Sequence, residues 1–362
     1  MKKNLFLLAS IPALLFTSCS TQKVDKSKIA LDYGHYWNKT VTVSDFGELS
    51  YDELDNLISS TTVKSNFVLI TFHSKTCGCY IDFMPVVEQF ANEYHIDFKF
   101  FDVGNFEGHS NKFGIYSAEE AMPGICFFKR GKLVRQTIYS KVEENNRKIF
   151  KRYTNFKDYM LSNIYLPKMY YLDKEILDNK IANNETFNLY VSRTGCPDCG
   201  EIEEKLLKDW FESKKKTTVK DLLYIFDLAP YRGTDIYQDI KDMYGLSNAE
   251  GNEKFGYDDG YVPTFQRRTG SEVTDMITVL NDSVSVVADK YYMSSYFIET
   301  RIANSPMLKN TGDKYLFDGK ELTSKQVKVV EWQGKTFYTF EDGVQLSLHK
   351  PVAELYLSTY VK

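Results

Sequence analysis

Two of the six cysteines, Cys196 and Cys199, occur in the run Cys196-Pro197-Asp198-Cys199. An apolar, strand-like run (187–191) precedes them and an amphipathic run (200–211) follows, which predicts the pair at a helix start. Unpaired backbone N–H groups and the helix dipole favour thiolate there, and only thiolate attacks a disulfide. A second cysteine one helical turn later can resolve the mixed disulfide. The spacing therefore predicts thiol–disulfide exchange, with Cys196 as nucleophile and Cys199 as resolving thiol.

Two other interpretations of this pair compete with exchange. A structural zinc site usually needs four ligands, and no second CxxC or Cys/His cluster lies near in sequence. An inert structural disulfide is less expected at a strand-to-helix junction, which is a reactive place for a cysteine. The neighbouring Arg193 and Asp198 have opposite effects on the pKa of Cys196, and the sequence does not decide between them.

A second cysteine cluster, Cys77-Gly78-Cys79-Tyr80, also follows a strand-like run (66–72) and precedes an amphipathic run (81–94). It is not CxxC, because Tyr80 stands where a resolving thiol would be. Cys77 acts alone, or the site has lost its chemistry and serves recognition, or Cys77 and Cys79 form a Cys-Gly-Cys disulfide. The first two alternatives are preferred. A soft metal site with Met84 or Met122 is a fourth option. Cys126 is expected to be a buried small hydrophobe.

The order of strand, cysteines, helix, strand and a proline that opens a later hairpin occurs twice. Pro123 follows Cys77 by 46 residues, and Pro263 follows Cys196 by 67 residues. The longer spacing predicts an insertion of about twenty residues within 231–261. A further segment, about 286–342, does not fit the repeat and is expected to decorate the second unit before a final helix.

This order resembles the thioredoxin family. The resemblance implies an α/β fold of two tandem thioredoxin-like domains, each a mixed central sheet flanked by helices. It also implies cis bonds before Pro263 and Pro123, and backbone pairing of a substrate chain with Val262 and Met122. The sequence departs from thioredoxin itself at the buried carboxylate six residues before the first cysteine, where Thr71 and Tyr190 stand. Proton transfer to the resolving thiol must then use water or another group.

The first nineteen residues have a positive start and an apolar run (5–16), too short to span a bilayer as a mature helix. They end in Phe-Thr-Ser-Cys, which resembles the lipobox of bacterial lipoproteins, although leucine is commoner at the position of Phe16. The resemblance implies lipid on Cys19 and an anchor on the extracytoplasmic face of the cell membrane. A plain secretory signal is the alternative. The expected organisation is signal 1–19, tether 20–43, degenerate domain 44–165 and CPDC domain 166–362.

The formal net charge is −4, so no basic excess exists to neutralise phosphates, and nucleic-acid binding is not expected. The expected function is thiol–disulfide exchange on secreted or envelope proteins, with a redox partner that recycles the cysteines and no cofactor or metal. A related possibility is an exchanger dedicated to one exported peptide such as a bacteriocin. The alternative is a non-catalytic thioredoxin-like lipoprotein that binds a partner protein or a metal.

Overall fold

The computed structural model describes residues 28–59, 65–117, 123–215, 221–244, 246, 262–279, 296–300, 308–310, 314–317, 320–323, 327–332, 335–340 and 349–361. The signal sequence with Cys19 lies outside the described residues, as does Met122. The described chain is a mixed α/β protein with several sheets flanked by helices.

The strands are β1 (Ile29–Ala30), β2 (Gly34–Tyr36), β3 (Phe67–Phe72), β4 (Lys99–Asp102), β5 (Gly124–Lys129), β6 (Lys132–Ile138), β7 (Ile164–Tyr165), β8 (Met169–Leu172), β9 (Thr186–Ser192), β10 (Leu223–Asp227), β11 (Thr264–Thr269), β12 (Glu272–Val279), β13 (Tyr296–Thr300), β14 (Leu308–Asn310), β15 (Lys314–Phe317), β16 (Lys320–Thr323), β17 (Val327–Trp332) and β18 (Lys335–Phe340).

The α-helices are α1 (Tyr51–Ser59), α2 (Gly78–Tyr94), α3 (Tyr153–Asn163), α4 (Lys174–Ala182), α5 (Pro197–Ile202), α6 (Lys208–Ser213), α7 (Tyr237–Met243) and α8 (His349–Tyr360). A π-helical turn, Glu203–Leu207, joins α5 to α6. The 3₁₀ helices are Val43–Asp45, Val103–Phe106, Tyr139–Lys141, Glu144–Phe150 and Ala229–Tyr231.

The first sheet has the order β4-β3-β5-β6, with β3 parallel to β4 and antiparallel to β5. All six residues of β3 are buried, because helices cover both faces of the sheet. Alternate β3 side chains enter two different cores: Val68, Ile70 and Phe72 pack with residues of α2 and α3, while Phe67 and Leu69 pack with residues of α1.

The second sheet contains the order β8-β10-β9-β11-β12, in which β8, β10 and β9 are parallel and β11 and β12 are antiparallel. The first sheet has the same order, in which β4, β3, β5 and β6 correspond to β10, β9, β11 and β12. At the position that corresponds to β8, an isolated bridge joins Glu48 to Phe100 of β4. The predicted internal repeat therefore has a counterpart in the strand order.

The second sheet is larger than the repeat requires. On one side β13, β18 and β17 follow β12, so parts of the predicted decorating segment extend the central sheet. Within the predicted insertion at 231–261, the described structure contains α7. On the other side, β2 pairs with β8.

The N-terminal segment corrects one expectation. The sequence predicts a tether over residues 20–43, but β1 pairs with β7 and β2 pairs with β8. Ile29 and Leu31 are buried in the core of the first unit. The apolar residues in this stretch are too few to reveal this packing, because both strands depend on partners more than 130 residues away along the chain. From about residue 28 onward, the segment is an integral part of the fold.

Candidate functional site

The CPDC cysteines lie where β9 turns into α5. Cys196 is the N-cap residue of α5, Pro197 occupies the first helical turn, and the N–H of Gly200 donates to the carbonyl of Cys196 at 3.0 Å. Proline suits this position, since its missing N–H would have no helical partner there. The nucleophilic candidate therefore faces the N-terminal end of the helix, as predicted.

The loop before Cys196 is fixed by Asp227 at the end of β10. Its carboxylate accepts hydrogen bonds from the N–H of Thr194 at 2.9 Å, the hydroxyl of Thr194 at 2.5 Å and the N–H of Ala229 at 2.9 Å. Gly195 has a φ of +83°, a conformation that other residues adopt only with strain. These contacts determine where the backbone presents Cys196.

Both cysteines are reduced and largely buried: Cys196 is 8% exposed and Cys199 is 2% exposed. Burial is the main cause that raises the pKa of Cys199 well above its usual value, and the hydrogen bond with Cys196 adds to it. The backbone N–H of Arg193 and the Ser192 side chain hydrogen-bond the Cys199 sulfur and act in the opposite direction. Arg193 therefore acts on Cys199 through its backbone.

Val262 and Pro263 lie beside the cysteines. Thr264, the first residue of β11, pairs with Val191 near the end of β9. The loop that carries Pro263 and the loop that carries Cys196 therefore lie at the same end of these two strands. The Val262–Pro263 peptide bond is cis, and Val262 belongs to the same buried apolar cluster as Cys196 and Cys199. The structure therefore brings together all four residues predicted for this site.

Two further polar residues lie behind the cysteines and were not predicted. The hydroxyl of Ser192, the last residue of β9, donates to Oε1 of Glu203 at 2.5 Å. Burial is the main cause that raises the pKa of Glu203. The sequence held one usable signal: Glu203 follows Cys199 by four residues, which is the spacing of neighbours on one helix face.

The first cysteine cluster differs from the preferred expectation. Cys77 is the N-cap residue of α2, and it is joined to Cys79 by a disulfide. The expectation that Cys77 acts alone is therefore corrected in favour of the Cys-Gly-Cys disulfide, while a recognition role for the site stays a prediction. Both cysteines are half-buried and Gly78 between them is exposed. A glycine between the cysteines has no side chain to obstruct so tight a ring.

In the first unit, Pro123 is buried just before β5, whose first residue pairs with Thr71 near the end of β3. This repeats the relation of Pro263 to β9. Cys126 is fully buried, and burial raises the pKa of its thiol to about 12, which agrees with a packing role. Met122 lies outside the described residues, so its predicted part in substrate pairing stays a prediction.

Metal and membrane features are both missing from the described part of the chain. No group of three or more histidine, cysteine, aspartate or glutamate side chains among the described residues is arranged to hold a metal ion. None of the described helices has both the length and the apolar character needed to cross a bilayer.

Comparison with known proteins gives structural matches only. No protein-family model matches the sequence, and neither does any curated protein. Among solved structures, the chain is similar to thioredoxin from Fasciola hepatica, with 23% identity, 32% of this chain and 94% of that chain covered, and a TM-score of 0.22. It is also similar to a mutant thioredoxin from Halobacterium salinarum, with 18% identity, 38% and 91% coverage, and a TM-score of 0.21. A zinc-bound form of human ERp44 matches at 10% identity, with 60% and 48% coverage and a TM-score of 0.23.

The expected fold class is confirmed. Mixed sheets flanked by helices, and the helix that begins at Cys196, carry this conclusion. The similarities to solved structures are similarities of fold alone.

Proposed function

We propose that this protein is a thiol–disulfide oxidoreductase that acts on protein thiols and disulfides through Cys196 and Cys199. The observation that carries the proposal is the geometry of the pair. Both thiols are reduced, they hydrogen-bond each other, and the first caps a helix N-terminus while the second is buried behind it. This arrangement separates an attacking thiol from a resolving thiol.

In the reductive direction, the Cys196 thiolate attacks one sulfur of a substrate disulfide. A mixed disulfide forms and the first substrate thiolate leaves. Cys199 then attacks Cys196 Sγ, which closes the Cys196–Cys199 disulfide and releases the second substrate thiolate. The substrate gains two electrons and the protein loses two, so a dithiol partner must return them. The oxidative direction runs the same steps in reverse with a disulfide partner.

The position of Val262 and Pro263 beside the cysteine loop supports a peptide or protein as the substrate. Val262 and Pro263 lie next to the cysteine loop, just before β11, where the thioredoxin resemblance implies strand-like pairing with a substrate chain. We propose that the backbone of Val262 holds the segment of substrate that flanks the reacting cysteine. A single exported peptide, including a bacteriocin, is one substrate that fits this mode.

The sequence supports a location for this activity. The charged start, apolar run and Cys19 resemble a lipoprotein signal, and Cys-Gly-Cys and CPDC pairs suit an oxidising compartment. We propose that lipid on Cys19 anchors the protein at the extracytoplasmic face of a bacterial membrane. Mass analysis of the membrane-extracted protein tests this: a diacylglyceryl mass on an N-terminal Cys19 is expected, and an unmodified soluble protein would contradict it.

The exchange activity is tested by trapping its intermediate. A Cys199→Ala variant has no resolving thiol, so glutathione disulfide is expected to leave one glutathione on Cys196, found by peptide mass. The wild-type protein should instead form the Cys196–Cys199 disulfide under the same conditions. A Cys126→Ala variant is the matched control and should behave as wild type, since Cys126 is buried in the other unit. If Cys196 in the trapping variant takes up no glutathione, the exchange proposal fails and the binding-protein alternative gains support.

A further inference from the structure

One buried hydroxyl lies between the resolving thiol and a partly buried carboxylate. Ser192 is 3% exposed, donates to Glu203 Oε1 at 2.5 Å, and hydrogen-bonds the sulfur of Cys199. A serine hydroxyl has one hydrogen to donate and two lone pairs that accept. The Ser192 hydrogen lowers the pKa of Cys199 when it is directed to the sulfur. When it is directed to Glu203 instead, a lone pair on the same oxygen can accept the Cys199 S–H. The three groups therefore form a chain from Cys199 through Ser192 to Glu203.

We propose that Glu203 receives the proton of Cys199 through the hydroxyl of Ser192 when the resolving thiol attacks. This inference rests on the proposed exchange function. In the step, the Cys199 proton passes to Ser192 Oγ while the Ser192 proton passes to Glu203 Oε1. Cys199 Sγ then forms the bond to Cys196 Sγ as the bond from Cys196 to substrate sulfur breaks. The substrate sulfur leaves with its electron pair, and Glu203 later returns the proton to solvent.

Cys199 needs such an acceptor because burial disfavours its thiolate. Six residues before Cys196, β9 carries Tyr190 and not a carboxylate. The ring of Tyr190 packs with its centroid 4.6 Å from that of the Phe265 ring. On the neighbouring strand, the carboxylate of Asp227 is occupied by the cysteine loop and Ala229. Glu203 approaches from the helix side instead, at the first residue of the π-helical turn.

The surroundings of Glu203 make it a better proton acceptor than an exposed glutamate. Its pKa is raised first by burial and then by the charge of Glu204, while the Ser192 hydrogen bond and Lys208 lower it. Ionisable groups face it from four elements: Glu204 and Lys208 on the same helix, Asp227 on β10, Tyr171 on β8 and Tyr33 on the N-terminal segment. The N-terminal segment thus contributes to the environment of the CPDC site.

The aromatic disulfide dithiobis(nitrobenzoate) separates the two chemical steps. Attack by Cys196 releases one coloured thiolate, and attack by Cys199 on the resulting mixed disulfide releases the second. The full chain is used after reduction, in a background with Cys19, Cys77 and Cys79 replaced by alanine, so that these thiols do not contribute. Stopped-flow absorbance gives both rates as a function of pH.

Glu203→Gln is expected to slow the second release about 10- to 100-fold near pH 7 and to leave the first within about twofold, because the variant removes only the proton acceptor. The second release should level off with rising pH in the parent protein and keep rising in the variant. Ser192→Ala should slow the same step, and the double variant should be no slower than either single variant, as expected for two members of one path.

Glu204→Gln is the matched control, since it removes the same charge from the next residue, which pairs with Lys208 at 2.9 Å. It should keep the rate of the second release within about twofold and move its pH profile to lower pH, because loss of the Glu204 charge lowers the pKa of Glu203. The inference is overturned if Glu203→Gln keeps the rate and pH profile of the parent, or if Glu204→Gln slows the step equally. If the parent protein shows no second release, the exchange function itself fails.

Discussion

Asp227 accepts hydrogen bonds from both the backbone N–H and the hydroxyl of Thr194, two residues before Cys196. A residue at the end of a buried parallel strand thereby determines the position of the loop that carries the nucleophile. The carboxylate contributes to the site through backbone geometry, while Ser192 and Glu203 contact the resolving side of the pair.

We expect Asp227→Ala to lower the free energy of unfolding by about 1 kcal/mol, because two backbone N–H groups and a hydroxyl lose their acceptor while water can reach those of Thr194. It should also slow modification of Cys196, since the loop loses its fixed position. Urea unfolding and thiol kinetics measure the two effects. Asp235→Ala is the control, because Asp235 is exposed. Equal behaviour of the two variants would contradict the anchoring role.

Cys196 and Cys126 are expected to differ strongly toward an alkylating reagent. Cys126 is fully buried with its pKa raised to about 12, whereas Cys196 caps a helix and keeps 8% of its surface exposed. Iodoacetamide near pH 7, read by peptide mass, should label Cys196 while Cys126 stays unmodified. In urea both should react. Labelling of Cys126 in the folded protein at the rate of Cys196 would be inconsistent with this structure.

Stability is expected to depend on pH through Asp32. Burial raises the pKa of this carboxyl from 3.8 to about 6, although it accepts the N–H of Asn66 at 2.8 Å. The folded protein therefore binds a proton more tightly than the unfolded chain, so the free energy of unfolding should fall as pH rises from about 4 to 6.

Asp32→Asn removes this dependence while keeping an acceptor for Asn66. At about pH 7 the variant should be more stable than wild type by about 2–3 kcal/mol, and near pH 4 the difference should vanish. Urea unfolding at both pH values tests this. A variant that is less stable at about pH 7 would show that the Asp32 charge is favourable in the fold.

Gly34 tests whether the N-terminal segment is part of the fold. A Cβ at this position would lie 2.3 Å from a Tyr170 ring carbon and 2.6 Å from the His95 carbonyl oxygen. Gly34→Ala is therefore expected to reduce stability by about 1–3 kcal/mol. Gly47→Ala is the control, because a Cβ there meets no atom within 4 Å. Equal stability of the two variants would mean that the segment is only loosely attached.

Local sequence patterns predicted the two cysteines and the proline of the site, because their positions depend on short strands, turns and a helix start. The CPDC step from strand to helix, and the proline that opens β11, follow from apolar runs and turn residues, which act over a few positions. Ser192 and Glu203 were missed because their meeting depends on a π-helical turn packing against the end of β9. Strands β1 and β2 were missed because two or three residues carry no periodic signal. The Cys77–Cys79 disulfide was only one of several alternatives, since spacing alone does not decide whether two thiols are joined.

A glutathione redox titration of the purified protein, read by alkylation and peptide mass, tests the central claim most directly. It follows Cys196/Cys199 and Cys77/Cys79 in one experiment. We predict that Cys196 and Cys199 titrate together as a two-electron couple, with a potential between about −270 and −120 mV. Failure of this pair to titrate, with Cys196 unreactive throughout, would contradict the assignment of CPDC as an exchange site.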